Sequence, residues 1–325
     1  MPPRATDKSN APGWLIWAAL VVIYLVWGST YLAIAVVVKT MPPLLAAGSR
    51  FVIAAVLMAL VIGVVRGFGS LRLTRAQVGG AALVGVALLL GGNGLVMLGE
   101  RTVSSGLAAL IIGVVPLWIV VLRFANGERV RRGTLLGVLL GFGGVALLVS
   151  RGVTGEVDLL GTLMIIGSSI SWSLGSFYSR RLALPADPFV SSAAQMLLGG
   201  VALTLVGVAT GELSNVYPAE WAPESLASLA YLIVFGSVIA FSAYTWLLQN
   251  APVSKVATYA YVNPIVAIVL GTLVLNEAVS PAMLIGGALI VVAVALVVRT
   301  ESRPSARARI ANAGVAPAVS PSRPA

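Results

Sequence analysis

Long apolar runs separated by short polar connections organise the chain. Ten runs stand out: Trp14–Val38, Leu44–Val65, Gln77–Leu98, Ser104–Leu122, Thr134–Val149, Leu160–Ser179, Phe189–Thr210, Leu226–Leu248, Val256–Leu275 and Pro281–Val298. A helix rises 1.5 Å per residue and needs about 20 apolar residues to cross ~30 Å of hydrocarbon, so each run predicts one span. The connections carry prolines, glycines and charges, as in Met41-Pro42-Pro43 and Ala125-Asn126-Gly127-Glu128-Arg129. A transmembrane barrel would alternate apolar and polar positions over about ten residues, and these runs are continuous for longer. The pattern predicts an all-α polytopic membrane protein. The first run is too long for a signal peptide's apolar region and no small-residue cleavage site follows it; it reads as a retained span. After Arg299 the chain is rich in Arg, Ser, Ala and Pro with little to bury, which predicts a disordered basic tail.

Composition narrows the chemistry. Of 325 residues, 58% are apolar and 10% charged, against about a quarter charged in soluble proteins. This excludes a soluble enzyme, a nucleic-acid-binding domain and a disordered protein. Cysteine and histidine are both absent. No disulfide framework, Cys or His metal site, or Ser-His or Cys-His catalytic pair is available, and no cofactor is expected. The net charge of +10 comes from 21 basic residues, of which 18 are arginine. With the N-terminus inside, 17 of them fall on the cytoplasmic side, three (Lys39, Arg101, Arg151) outside, and Arg50 within a span. That bias is the positive-inside rule. It predicts an inner or plasma membrane protein with both termini cytoplasmic, and it explains the basicity without a nucleic-acid partner.

The second half echoes the first at an offset of about 150 residues. Gly28-Ser29-Thr30-Tyr31 matches Gly175-Ser176-Phe177-Tyr178, and Pro43 with Arg50 matches Pro188 with Gln195. Val103-Ser104 matches Val253-Ser254, Pro116 matches Pro264, and Glu128, Val130, Leu135 and Gly137 match Glu277, Val279, Leu284 and Gly286. The expected organisation is a cytoplasmic tail (residues 1–13), a first repeat (14–150), a second repeat (151–298) and the tail (299–325). Five spans per repeat is an odd number, so the repeats lie in opposite orientations. Ten transmembrane helices in two inverted-topology repeats are the architecture of many secondary transporters, with alternating access around a midplane site.

Trp27-Gly28-Ser29-Thr30-Tyr31, the stretch from Pro42-Pro43 to Arg50-Phe51, and the endings Asn126-Gly127-Glu128 and Leu275-Asn276-Glu277 resemble the EamA family of the drug/metabolite transporter superfamily. The resemblance spans both repeats. It implies ten helices in two inverted five-helix repeats and export of amino acids, other metabolites or toxic compounds across the inner membrane.

Arg50 is the only ionisable residue deep inside a span, two turns beyond Pro43. One reading is an arginine snorkelling to the interface or paired with Glu100 or Glu277; the other is a cavity arginine that receives a carboxylate or phosphate. The duplicated position is Gln195, so such a site would be positive on the first repeat alone. Tyr24, Trp27 and Tyr31 share one helical face, as do Ser169, Trp172, Ser176 and Ser179 in the sixth span. With Asn93, Tyr244, Tyr259, Tyr261 and Asn263, these residues are the candidate lining of one amphipathic cavity. Singly, each is equally an interfacial anchor or a packing residue. Pro116 and Pro264 each remove a helical hydrogen bond and are candidate hinges or static kinks. Gly133, Gly137 and Gly141 form a small-residue seam, inside the fold or between two copies, so monomer and homodimer both stay open.

An exporter of small amphipathic metabolites, amino acids or related compounds, is the leading reading. Alternatives are an exporter of hydrophobic cationic drugs and a membrane-embedded transferase, whose need for converging acids or a nucleophile-base pair finds only Glu156 and Asp158. A channel built of symmetric rings fits inverted duplication poorly. No nucleotide-binding motif is present, and the nearest carboxylates, Glu100 and Glu277, stand at outer helix ends. Proton antiport, facilitated diffusion and exchange all remain open.

Overall fold

A computed structural model of the chain describes residues 11–128, 130–153, 158–256 and 258–301. Most of the two predicted tails, residues 1–10 and 302–325, lies outside that set. Among the described residues there are helices and no strands. We number the long helices α1 (Gly13–Val37), α2 (Pro43–Arg66), α3 (Arg75–Gly99), α4 (Ser105–Ala125), α5 (Arg132–Val153), α6 (Leu159–Tyr178), α7 (Pro188–Ala209), α8 (Pro223–Asn250), α9 (Tyr259–Leu275) and α10 (Pro281–Glu301). The first eight are long and apolar enough to cross a membrane. The last two are shorter apolar helices, Tyr259–Leu275 and Pro281–Val297.

Helix boundaries fall where the backbone chemistry demands. Proline opens α2, α7, α8 and α10, at the one position where its missing N–H costs nothing. Thr74 and Gln77 form a reciprocal capping box at the start of α3, and Asp187 accepts from the amides of Phe189 (2.9 Å) and Val190 (3.1 Å). Gly67, Gly127 and Gly211 close α2, α4 and α7 with φ between 82° and 84°, a conformation glycine adopts without steric cost. The ninth helix begins three residues later than the apolar run suggested. Pro252 starts a separate turn, Val253–Val256, and the chain re-enters helix at Tyr259.

Packing joins the two halves instead of separating them. Helix α2 lies along α7, α5 along α10, and α4 against α9; α1 packs on α8 and α9, while α3 packs on α6 and α7. Phe51, Leu88, Met97, Leu117, Met196 and Phe241 are fully buried between them. Large apolar side chains such as Val64, Leu139, Leu205 and Leu273 point outward. Lipid is as apolar as leucine, so close approach of small residues, not burial from water, holds such helices together. The predicted glycine seam does this within the fold. Gly133 faces Thr300, Gly137 faces Val297 and Ala293, and Gly141 faces Leu117; Gly144, beyond the predicted seam, abuts the carbonyl of Gly286.

A side chain added at Gly144 meets that carbonyl, whereas one at the neighbouring Gly143 meets open space. We expect Gly144→Leu to lose about 1–3 kcal/mol through overpacking and Gly143→Leu to stay within ~0.5 kcal/mol. Thermal unfolding of the two purified variants in one detergent checks the difference.

Candidate functional site

The centre of the bundle is built on two wide helical turns. Residues Val86–Gly94 of α3 and Leu232–Ile239 of α8 are π-helical, a form concentrated at functional sites because it displaces side chains and loosens carbonyls from the helical ladder. Side chains of neighbouring helices take up those carbonyls. Ser171 Oγ donates to Ala87 O and Ser168 Oγ to Gly92 O, each at 2.8 Å, and Trp27 Nε1 donates to Gly236 O at 3.3 Å. Part of the serine content of α6 is thus explained by backbone satisfaction.

Between these turns lies a cavity of about 60 Å³. Trp27, Tyr31, Arg50, Asn93, Trp172, Tyr259 and Asn263 line it, as the sequence predicts, together with Thr30, Ile34, Phe51, Gly92, Val96, Ile112, Ser168, Gly236 and Phe241. Four rings form a box: Trp27 stands edge-on to Trp172 and to Tyr259, each at 5.4 Å between centroids, and Tyr244 leans on Trp27 at 4.8 Å. The edge-to-face arrangement suits the ring quadrupoles. Ser176 stands behind the box, its hydroxyl bonded to that of Tyr244 at 2.7 Å. The Asn263 amide, oriented to donate to the carbonyls of Tyr24 and Tyr259 at 3.1 Å each, ties α9 to α1.

Arg50 is 2% exposed, so its side chain does not snorkel. It does not pair with either glutamate. Its Nε donates to Ser237 Oγ at 2.8 Å, its guanidinium carbon lies 4.5 Å from the Phe51 ring centre, and its Nη1 has no acceptor. Trp172 Nε1 is a second buried donor without an acceptor. Glu277 is committed elsewhere: it accepts from Ser105 N (2.9 Å), Ser105 Oγ (2.9 Å) and Gly106 N (3.2 Å), capping α4. Glu212 caps α2 in the same way through Leu44 N (3.1 Å) and Leu45 N (2.9 Å). At the opposite end of α6, Arg180 donates to the carbonyls of Leu248 (2.8 Å) and Ala251 (2.7 Å); partial burial draws its pKa down.

Two predicted lining residues face elsewhere. The backbone carbonyl of Gln195 packs against α3 at Gly85, and its side-chain Nε2 donates to Ser191 Oγ at 2.9 Å, one turn back on α7. The Tyr261 hydroxyl donates to the carbonyl of Val294 on α10, two residues round the helix from Tyr259 and so on another face. The prolines differ in setting. Pro116 follows a break in α4 at Gly113–Val114, between Ser105–Ile112 and Val115–Ala125, whereas Pro264 sits inside a continuous α9. Sequence reading missed the wide turns and the partners they bring, Gly236 and Ser237. Their signal was the Gly91-Gly92-Asn93-Gly94 cluster and the isolated Gly236.

The site is a central aromatic cavity with one buried arginine inside a bundle of apolar helices, and no cluster of metal-ligating residues stands among the described residues. The chain belongs to the EamA-like transporter family, whose model matches residues 13–150 and 159–299. It is 36% identical over 284 residues to the uncharacterized inner membrane transporter YedA of Escherichia coli (strain K12), covering 87% of this chain and 90% of that protein. It is 30% identical over 297 residues to the uncharacterized transporter YvbV of Bacillus subtilis (strain 168), covering 90% and 94%. A solved protein crystal structure has the same fold, with TM-score 0.63 and 23% identity over 89% of this chain and 99% of that one. The protein is a multi-pass membrane transporter.

Removing the Tyr244 hydroxyl takes away one buried hydrogen bond while Ser176 keeps its bond to Trp172 O (2.7 Å). We expect Tyr244→Phe to cost about 1 kcal/mol, seen as a small fall in unfolding temperature with the helical circular dichroism unchanged.

Proposed function

We propose that the chain is a secondary transporter that binds small amphipathic metabolites carrying a carboxylate, amino acids or related compounds, and exports them across the inner membrane by alternating access. The observation that carries this reading is Arg50: a buried guanidinium facing a cavity with one nitrogen unbonded. A charge at that depth is costly, and a planar fork of donors is matched by a carboxylate. The aromatic box beside it suits an apolar or aromatic side group. A cavity of about 60 Å³ holds a few waters, so a metabolite enters only when the helices around it part.

Two inverted five-helix repeats, residues 14–150 and 151–298, supply that motion in this reading, with both termini cytoplasmic. Supporting it, equivalent helices pack on each other across the bundle, α2 on α7, α4 on α9 and α5 on α10. The wide turns at 86–94 and 232–239 fall at equivalent places as well. A second reading, export of hydrophobic cations, draws on the same box, because four rings offer cation-π surface; Arg50 opposes it.

The test is growth tolerance in cells overproducing the parent, Arg50→Ala or Trp27→Ala, against amino-acid analogues, dipeptides, nucleosides and cationic drugs. A charge-assisted bond is worth about 1.5–3 kcal/mol and 1.4 kcal/mol is tenfold. We therefore expect transport of carboxylated compounds by Arg50→Ala to fall at least ~10-fold, with the protein still folded in the membrane. Tolerance to cationic drugs alone, unchanged in Arg50→Ala, overturns the carboxylate reading.

A further inference from the structure

Glu100 is a second buried charge-bearing residue, and neither oxygen of its carboxyl has a partner in the helical framework. It follows the last residue of α3 and is 6% exposed. Four residues before it stands Val96 and seven before it Asn93, both cavity-lining, so the three share a helical face. Glu100 therefore sits between the cavity and one end of the bundle.

Among the described side chains, no ion pair to Glu100 is present. From the α9–α10 turn comes Glu277, within electrostatic reach of Glu100 and engaged by three bonds from the α4 N-terminus. From α1 comes Tyr31, a neutral phenol also within reach. Helix α6 begins at Asp158, whose carboxylate accepts from Gly161 N at 3.0 Å. Helix α2 carries Arg50, bonded to Ser237. Arg101 and Lys39 are exposed. Burial, then Glu277, push the Glu100 carboxyl well above the usual carboxylate range. An unpaired carboxylate in such a place is far costlier than the neutral acid.

We propose that Glu100 is a proton-binding site that couples transport to proton movement: this end of the bundle closes with Glu100 protonated and opens as the proton leaves to water. The inference rests on the alternating-access reading and adds its driving ion. The step moves one proton between the carboxyl oxygen and solvent, and no other bond changes. The sign follows from linkage. Opening hydrates the group and returns it toward ~4.3, so the closed end is favoured at low pH and that preference is lost as pH rises through the raised value. Nothing equivalent guards the other end: by the Val103/Val253 offset, the matching residue is Asn250, whose Nδ2 donates to Trp246 O at 2.9 Å.

The chain has no cysteine, so a single reporter is clean. Ile34→Cys places a thiol on the cavity wall. Labelling by a membrane-impermeant maleimide is measured from pH 5 to 9 in membrane vesicles of both orientations. Each rate is divided by that of the same reporter in a Glu100→Gln background, which cancels the thiol's own titration. Glutamine mimics the protonated acid in size and charge. We expect the ratio to rise at least ~5-fold with pH in the orientation that exposes the Glu100 end, and Glu100→Asp to retain a rise with a shifted midpoint. A ratio flat with pH, no labelling at any pH, or a ratio that follows added Na⁺ at fixed pH each overturns the proton site. The readout needs no substrate, so it is separable from the substrate reading. Pure pH gating with Arg50→Ala transport unchanged removes the carboxylate site alone, and a flat ratio with Arg50-dependent transport removes the proton site alone.

Discussion

A chain embedded in hydrocarbon has no water to bond its peptide groups, and every exposed N–H or C=O costs several kcal/mol. Much of the polar chemistry of this protein answers that constraint. Glu212 and Glu277 serve helix N-termini and Arg180 serves the carboxyl end of α8, in the sense the helix dipole favours. Ser168 and Ser171 occupy carbonyls that the wide turn of α3 exposes, and Trp27 takes the one released at Gly236. Against this background of satisfied groups, the few buried polar atoms without partners stand out. Arg50 and Trp172 meet at the cavity, and Glu100 follows the end of α3, four residues past the cavity-lining Val96.

The wide turns also decide where the cavity forms. An extra residue per turn swings Asn93 and Gly236 toward the bundle axis and leaves glycine where a side chain would fill the space: a Cβ at Gly92 would strike Trp172, and one at Gly236 would strike Arg50. The same glycines let α1 and α6 bring their tryptophans within 5.4 Å of each other. What results is a small, mostly apolar pocket between close-packed walls, with Arg50 and Asn93 among its lining residues. Such a wall does not stretch continuously; packed interfaces exchange between discrete arrangements, which is what a carrier with two faces requires.

How much of this was legible in the sequence depends on the range of the forces involved. The helices were, because continuous apolar runs and the prolines between them act locally; their ends moved by up to four residues, as at Tyr259, where Pro252 makes a separate turn, and at Pro223 and Val153. Arg50 was, because a lone charge in a span is conspicuous whatever surrounds it. Trp27 and Trp172 were, through helical-face spacing with Tyr24 and Tyr31 on one span and with Ser169 and Ser176 on the other. Gln195 and Tyr261 were misassigned because position in a repeat, or one step along a helix, does not say which neighbour a face meets. Gln195 met the α3 backbone and Tyr261 met α10. The wide turns were hidden because one added residue per turn leaves hydropathy unchanged and rotates every face beyond it. Glu100 read as an ordinary helix end, since the packing around the end of α3 comes from segments distant in sequence, α6 above all.

Arg50 and Glu100 differ in a way that assigns them complementary parts. A guanidinium keeps its charge at any physiological pH, so Arg50 can select an anion but cannot release it by titrating. Release must come from a change in the walls. A carboxyl held away from water with no partner is the opposite: its charge is conditional on whether the end of the bundle beside it is wet. Placed at one end only, with Asn250 at the corresponding position of the other half, it makes the two otherwise duplicated ends inequivalent. A symmetric carrier moves its cargo down the cargo's own gradient. A carrier with one titratable end takes up a bias from the proton gradient, and on the proposal above Glu100 is the group that gives this chain such an end.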